Sequence, residues 1–240
     1  MLELSEQEQL RRQSLDELRK MGINPYPAAE YTVSALAEDI KKNYKDEDDK
    51  KVEVTIAGRI MSRRVMGKAS FAEIQDSTGR IQVYISRDEI CPDDNNDLYN
   101  VVFKKLLDIG DFVGVKGFVF KTQTGEISVH AATLTVLSKS LKPLPIVKYK
   151  DGVAYDSFDD AEQRYRQRYV DLVVNEGVKD IFIKRTKVFN AMRNFFNQRG
   201  YLEVDTPVLQ SIPGGASARP FITHHNALDI FTTTKERLAE

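Results

Sequence analysis

Residues 52–86 read VEVTIAGRIMSRRVMGKASFAEIQDSTGRIQVYIS, and this stretch decides the fold. Apolar and polar residues alternate with a period of two along three segments of it, which is the pattern of β-strands that bury one face. The sequence Asp-Ser-Thr-Gly at 76–79 is typical of a tight hairpin turn. The stretch therefore predicts three strands, the second and third joined as a hairpin.

The residues that follow extend this pattern toward a barrel. A short helix is expected over about 98–107, and two further strands over 112–121 and 126–137, joined by a turn at Thr124-Gly125. Three strands, a helix and two strands is the order of a five-stranded OB-fold barrel. An SH3-like barrel is the nearest alternative, but the helix between the third and fourth strands argues against it.

Upstream of the barrel the pattern is helical. Ser5 and Glu8 form a capping box for a first helix that should end at Gly22. Thr32 can cap a second helix. The charged run at 45–51 is typical of a solvated linker and marks a boundary.

Downstream, a proline-rich linker starts at 142–145, and helical pattern returns near Glu162. A longer helix carries phenylalanines at seven-residue spacing and should end at Arg199-Gly200, before a short strand at Tyr201–Val204. The predicted class is α+β, with four parts: an N-terminal helical extension (1–48), the OB-fold domain (49–140), a linker (141–162) and a second domain (163–240) that opens with this helix and strand.

Composition limits the classes of function. Hydrophobic residues make up 41% of the 240 residues and charged residues 30%, with a formal net charge of −1. Nucleic acid would therefore have to be bound by a local basic cluster. The single cysteine, Cys91, excludes an internal disulfide. A secretion signal and a membrane span are not recognisable, so we expect a cytoplasmic protein.

Two outward-facing residues of the hairpin predict a nucleic-acid site. Phe71 shares the polar face of its strand, where an aromatic ring can stack on a base. Gln82 also points outward and can bond a base edge. Cross-strand packing or a domain contact is the alternative role for Phe71.

A basic cluster lies close to this hairpin in the sequence. Strict alternation would turn Arg64 inward, so it reaches RNA only if a bulge or the strand end intervenes. The cluster consists of Arg59, Arg63, Arg64 and Lys68.

Three long blocks resemble one enzyme family. GRIMSRRVMGKASF at 58–71, RYRQRYVDL at 164–172 and GGASARPFITHHN at 214–226 are similar to bacterial lysine–tRNA ligases, which are class II aminoacyl-tRNA synthetases. The likeness runs from the N-terminal helix to Ile230. Ser217 departs mildly, because bacterial relatives usually have a small apolar residue there.

The resemblance implies an anticodon site for lysine tRNA at four positions: Arg64, Phe71, Gln82 and Glu126. In the family the phenylalanine stacks on the middle anticodon uridine, and the arginine and glutamine bond the edge of that base. The two residues chosen from strand alternation coincide with this site. A solvated strand residue remains the alternative for Glu126.

The resemblance also implies a homodimer and an amino-acid site. The long helix and the strand after it match the first class II motif, which places Phe182, Phe189 and Pro207 at a dimer interface. Gly215 would approach the α-amino group of the substrate lysine. The adjacent His224 and His225 are not expected to bind metal, because neighbours on extended chain point to opposite faces.

The family uses ATP and Mg²⁺ to form lysyl-adenylate before charging the tRNA. The second and third class II motifs, which bind ATP, are not recognisable, and the residues after Ile230 do not resemble the family. We therefore expect this chain alone to be inactive, whether the ending reflects truncation, a frameshift or a native terminus. A stand-alone OB-fold RNA-binding or tRNA-chaperone protein is the alternative, and an interaction protein built on the long helix is a weaker one.

Overall fold

The chain forms two units, Met1–Val174 and Asn175–Glu240. The computed structural model describes residues 4–45, 51–93, 95–145, 147–150, 153–155, 157–207, 223–226 and 230–231.

Five strands of the first unit close into a barrel. They are β1 (Glu53–Met66), β2 (Ala69–Gln75), β3 (Arg80–Ser86), β4 (Phe112–Lys121) and β5 (Ile127–Ser138). Their order around the barrel is β1-β2-β3-β5-β4, with β4 paired back onto β1, and the β3–β5 pair alone among these is parallel. The predicted OB-fold barrel is thus confirmed.

The barrel core follows the period of two. Burial alternates along β2 and β3, so every second side chain of both strands faces inward, and these are apolar except for Ser70. Side chains from all five strands fill the interior, including Ile56, Ile74, Val83, Val115 and Val129.

The connection between the third and fourth strands contains two helices. A single turn, α3 (Arg87–Ile90), precedes a π-helix at Leu98–Leu106. In the π-helix the Leu107 N–H donates to the Val102 carbonyl at 2.9 Å, five residues back. The sequence predicted a helix here, but neither the extra turn nor the wider hydrogen-bond pattern.

The two N-terminal helices differ in how their first turns are capped. In α1 (Glu6–Lys20), the Ser5 hydroxyl accepts from the Glu8 N–H at 3.3 Å, as the capping box predicts. The second helix, α2 (Ala37–Asn43), begins later than a cap at Thr32 would allow. Its first N–H donates to a carboxylate oxygen of Asp76 at 2.6 Å, so the β2–β3 turn supplies the cap.

The remaining elements of the first unit follow the barrel. A two-stranded sheet pairs β6 (Lys148–Lys150) with β7 (Val153–Tyr155). Two short helices come next, α4 (Ala161–Arg166) and α5 (Arg168–Val174). No helix in the described ranges combines the length and apolar character that crossing a bilayer requires.

Among its described residues, the second unit contains one long helix, α6 (Val178–Asn197), and a pair of two-residue strands, β8 (His224–His225) and β9 (Ile230–Phe231). The strand predicted at Tyr201–Val204 is wrong, because residues 201–207 adopt no regular structure and the Leu202 side chain is 87% exposed. A strand needs a hydrogen-bonded neighbour, and none lies beside these residues in the described part of the chain.

Candidate nucleic-acid interface

A β-bulge turns Arg64 to the outer face of the barrel. The β1–β2 register shifts between Ile60 and Ser62, so Met61 is an extra residue on β1. Beyond the bulge the alternation is reversed, and Arg64 is exposed directly opposite Phe71 on β2. The bulge that the sequence required for an outward arginine is therefore present.

A row of directly paired residues runs across the sheet from Phe71. Phe71 pairs with Tyr84 on β3, which pairs with His130 on β5. The ring centroids of Phe71 and Tyr84 are 5.2 Å apart, and those of Tyr84 and His130 are 4.8 Å apart. Phe71 is thus half-buried, with one side packed against Tyr84 and a part of the ring still accessible.

An open cavity of about 390 Å³ lies on this face. Its volume is within the range of small-molecule sites and could hold a single nucleobase. Three of the four predicted site residues line it. The lining residues are Arg64, Phe71, Gln82, Tyr84, Phe120, Thr122, Gln123, Thr124 and His130.

Gln82 lies beside a buried serine. The Ser128 hydroxyl donates to the Gln82 side-chain carbonyl, Oε1, at 2.9 Å. Ser128 is on β5 directly opposite Gln82, and its side chain is fully buried. This hydrogen bond holds the glutamine amide against the sheet.

Glu126, the fourth predicted residue, is not among the residues that line the cavity. Its carboxylate forms an ion pair with Lys41 of α2 at 3.2 Å, and its N–H donates to Thr122 Oγ1 at 3.0 Å. Both charged side chains are more than a third exposed, so this pair contributes little to stability.

The residues of the predicted basic cluster differ in whether their side chains bond the protein itself. Arg59 donates to the Gly110 carbonyl at 2.9 Å and Arg63 to the Phe103 carbonyl at 2.5 Å. Burial lowers the pKa of the Arg63 guanidinium, and nearby aspartates oppose this shift. Arg64 is exposed on the outer face and Lys68 is exposed in the turn between β1 and β2, so they are the members of the cluster that can meet a phosphate or a base.

Six cavity residues were not identified as site residues from the sequence, and three of them carry aromatic rings. Tyr84 lies two residues after Gln82 on β3, so strand alternation places both side chains on the outer face and could have predicted Tyr84 as a site residue. Phe120 and His130 come from β4 and β5, and only the barrel closure brings them to this face. The His130 Nε2 lies 2.5 Å from Glu89 Oε2, although the two atoms are not aligned as a hydrogen bond.

The other predicted site residues belong to the second unit. Phe182 and Phe189 lie on α6 and are 38% and 41% exposed. Pro207 is the last residue of the irregular segment, and Gly215 lies outside the described residues. Within the described ranges, no three His, Cys, Asp or Glu side chains are arranged to hold a metal ion.

Two family models match the chain. Residues 54–137 match the OB-fold nucleic acid binding domain, and residues 160–236 match the tRNA synthetases class II (D, K and N). The chain therefore combines a segment similar to an OB-fold nucleic acid binding domain with a segment similar to class II tRNA synthetases.

Within that class its relatives are lysine–tRNA ligases. The lysine–tRNA ligase of Porphyromonas gingivalis (strain ATCC 33277) is 69% identical over 230 residues, which is 95% of this chain and 40% of the relative. That of Azobacteroides pseudotrichonymphae is 68% identical over 95% of this chain and 45% of the relative. That of Christiangramia forsetii is 61% identical over 96% of this chain and 40% of the relative.

The chain is thus a homologue of lysine–tRNA ligases over nearly its whole length, and it spans about 40% of the length of the curated relatives it matches.

Proposed function

We propose that this chain binds the anticodon loop of lysine tRNA, as the anticodon-binding part of an ATP-dependent lysine–tRNA ligase. The convergence of Arg64, Phe71 and Gln82 around one open cavity supports this proposal. An aromatic ring, a guanidinium and an amide are the groups that hold an unpaired base, by stacking and by hydrogen bonds to its edge.

Each of the three residues has a role in this proposal. The accessible part of the Phe71 ring stacks on the base, a contribution of about 1–3 kcal/mol. Gln82 bonds the base edge from the floor of the cavity. Arg64 is exposed and carries only hydrogen-bond donors, so it bonds a base carbonyl or an adjacent phosphate.

The test is a titration of lysine anticodon stem-loops against wild type, Phe71→Ala and Gln82→Ala. We expect Phe71→Ala to weaken binding roughly 5- to 150-fold, the equivalent of losing one stacked base. Phe112→Ala and Gln75→Ala are matched controls, because both residues are half-buried on the barrel and outside the cavity lining. Wild-type affinity in both site variants would contradict the proposal.

The wider activity of the family is also a proposal for this chain. In the whole protein, lysine and ATP with Mg²⁺ would give lysyl-adenylate, and the lysine would pass to the tRNA in the cytoplasm. The described residues gather no acidic group suited to Mg²⁺, so we assign no residue to ATP or to the metal.

We further propose that residues 1–240 on their own do not activate lysine. A phosphate-binding arrangement of cations or metal is needed for adenylate formation, and the described residues of the second unit offer a long exposed helix instead. ATP–pyrophosphate exchange with lysine should be at background. Clear turnover would contradict this prediction.

A homodimer is the third proposal, and the apolar surface of α6 supports it. Ile181, Phe182, Val188, Phe189 and Met192 are each 38–64% exposed. An apolar surface of this extent on one helix is typical of a protein–protein interface.

A further inference from the structure

We propose that the N-terminal extension acts as a clasp that fixes the direction in which the chain leaves the barrel, with Arg11 as its main positioning residue. The chain leaves where β5 ends at Ser138, and residues 139–144 are here called the exit segment. The clasp side chains are Arg11, Arg12 and Tyr26. None of them lines the nucleic-acid cavity, so this inference does not depend on RNA binding.

Three consecutive backbone carbonyls of the exit segment, those of residues 139–141, accept from clasp side chains. The Tyr26 hydroxyl donates to the first at 2.8 Å, and the Arg11 guanidinium donates to the second at 3.1 Å. Arg12 reaches the third at 3.5 Å, which is a weaker contact. Backbone carbonyls lose their ladder partners where a strand ends and need others. The N-terminal extension supplies them here.

Arg11 ties the exit segment to the loop that precedes β4. Its Nη2 donates to the Ile109 carbonyl at 2.9 Å, while its Nη1 bonds Ser140. Arg11 is only 6% exposed, and a guanidinium buried to this degree needs acceptors for its N–H groups. The rigid fork of the guanidinium therefore bridges two carbonyls from separate parts of the chain.

Asp111, at the start of β4, holds the same residues from the barrel. Its two carboxylate oxygens accept from the Ser140 N–H at 2.7 Å and from the Lys139 ammonium at 2.8 Å. Both the Asp111 and the Lys139 side chains are fully buried. The Lys139 N–H donates in turn to the Pro25 carbonyl at 3.2 Å. The first two residues of the exit segment are thus bonded both by the barrel and by the N-terminal extension.

Two prolines continue the fixed direction along the exit segment and beyond it. Pro143 restricts Lys142 to extended conformations, and Pro145 restricts Leu144 in the same way. The Leu144 side chain lies beside Gly110, since a Cβ added at Gly110 would be 3.5 Å from Leu144 Cδ1. The exit segment therefore continues the barrel as one rigid piece.

A rigid exit segment matters for whatever part of the chain follows the barrel. A flexible linker lets the parts that it joins change their relative orientation. A clasped exit segment instead gives the chain that follows a fixed starting direction. The three clasp side chains lie outside the hydrophobic core, so substituting them should release the exit segment and leave the barrel folded.

The test is amide hydrogen exchange by mass spectrometry on the 240-residue chain, comparing the exit segment with the β2–β3 hairpin in each variant. In Arg11→Met, exchange of the exit segment should be about tenfold faster or more, which corresponds to losing a hydrogen bond to a charged group. Hairpin exchange should stay within about twofold, because the opening is local. Arg19→Met is the matched control, since Arg19 lies on the same helix with its side chain 57% exposed, and it should exchange like wild type.

Tyr26→Phe tests the clasp with a smaller change, and it decides the question if Arg11→Met does not fold. It keeps the ring and removes only the hydroxyl that bonds Lys139, so exchange of the exit segment should be about three- to tenfold faster. Unchanged exchange of the exit segment in the folded variants would overturn the clasp. Equal acceleration of the exit segment and the hairpin would also overturn it, because these residues would then contribute to global stability alone.

Discussion

The turn between β2 and β3 holds α2 against the barrel through one carboxylate. Asp76 accepts four hydrogen bonds: from the N–H of Ala37 at 2.6 Å, the N–H and hydroxyl of Thr78 at 2.7 and 2.8 Å, and the N–H of Gly79 at 2.9 Å. Substitution of Asp76 should therefore loosen both the hairpin that carries Phe71 and Gln82 and the start of α2.

The expected magnitude follows from these contacts. Removing a helix cap costs about 0.5–2 kcal/mol. Asp76 is partly accessible, so water can replace the three further bonds, and each contributes about 0.5 kcal/mol, the low end of the usual range. We therefore expect Asp76→Ala to lower the free energy of unfolding by about 2–3.5 kcal/mol. Asp76→Asn keeps one acceptor oxygen and should cost about 1–2 kcal/mol.

The effect should also depend on pH. Burial by itself raises the pKa of Asp76, but hydrogen bonds from Ala37, Gly79 and Thr78 outweigh it, so the net pKa is lowered. A carboxylate with a lowered folded-state pKa stabilises the protein above its unfolded value of about 3.9, and that stabilisation is lost as pH falls through the folded pKa. The difference between wild type and Asp76→Asn should therefore be full near neutral pH and shrink below about pH 4.

The assay is urea unfolding followed by circular dichroism at several values between neutral and acidic pH. Asp97→Asn is the control, because Asp97 is exposed and its side chain makes no capping hydrogen bond, although it directly precedes the π-helix. The reasoning would be refuted if an Asp76 variant were as stable as wild type. It would also be refuted if the difference in the free energy of unfolding between wild type and Asp76→Asn stayed constant down to acidic pH.

Three further predictions concern the core, the barrel closure and the long helix. Lys139 is buried between two aspartates, so Lys139→Met should lower the free energy of unfolding by about 3–5 kcal/mol in urea; the exposed Lys116→Met should change it by less than about 0.5 kcal/mol. A Cβ at Gly117 would lie 1.8 Å from a backbone carbonyl oxygen, so Gly117→Ala should fail to give a cooperative unfolding transition, and a native-like transition would contradict this. Phe189→Asp should sediment as a monomer, whereas the control Lys184→Asp should remain dimeric. Equal sedimentation masses for the two variants would refute the α6 interface.

The barrel could be predicted from the sequence because its signal is local. Alternation along each strand specifies which side chains face the core, and β4 occupies the predicted residues 112–121. The outward orientation of Phe71 and Gln82 follows from the same rule, since each lies between two inward-facing neighbours.

Features that depend on distant contacts could not be predicted. The cap of α2 comes from Asp76, which lies 39 residues beyond Ala37. The aromatic neighbours Phe120 and His130 reach the cavity only through the pairing of β4, β5 and β3. The segment Tyr201–Val204 has the composition of a strand, but a sequence pattern does not show whether the hydrogen-bonded neighbour that a strand needs is present.

One residue links the local pattern to the proposed site. Without the bulge at Met61, Arg64 would keep the phase of Ile60 and point into an apolar barrel, where an unpaired guanidinium is strongly unfavourable. With it, Arg64 faces the cavity, and Arg63 takes the inward phase and bonds the Phe103 carbonyl near the barrel end. The two arginines can therefore both be satisfied only if β1 carries the extra residue, so the same irregularity that interrupts the strand completes the cavity opposite Phe71.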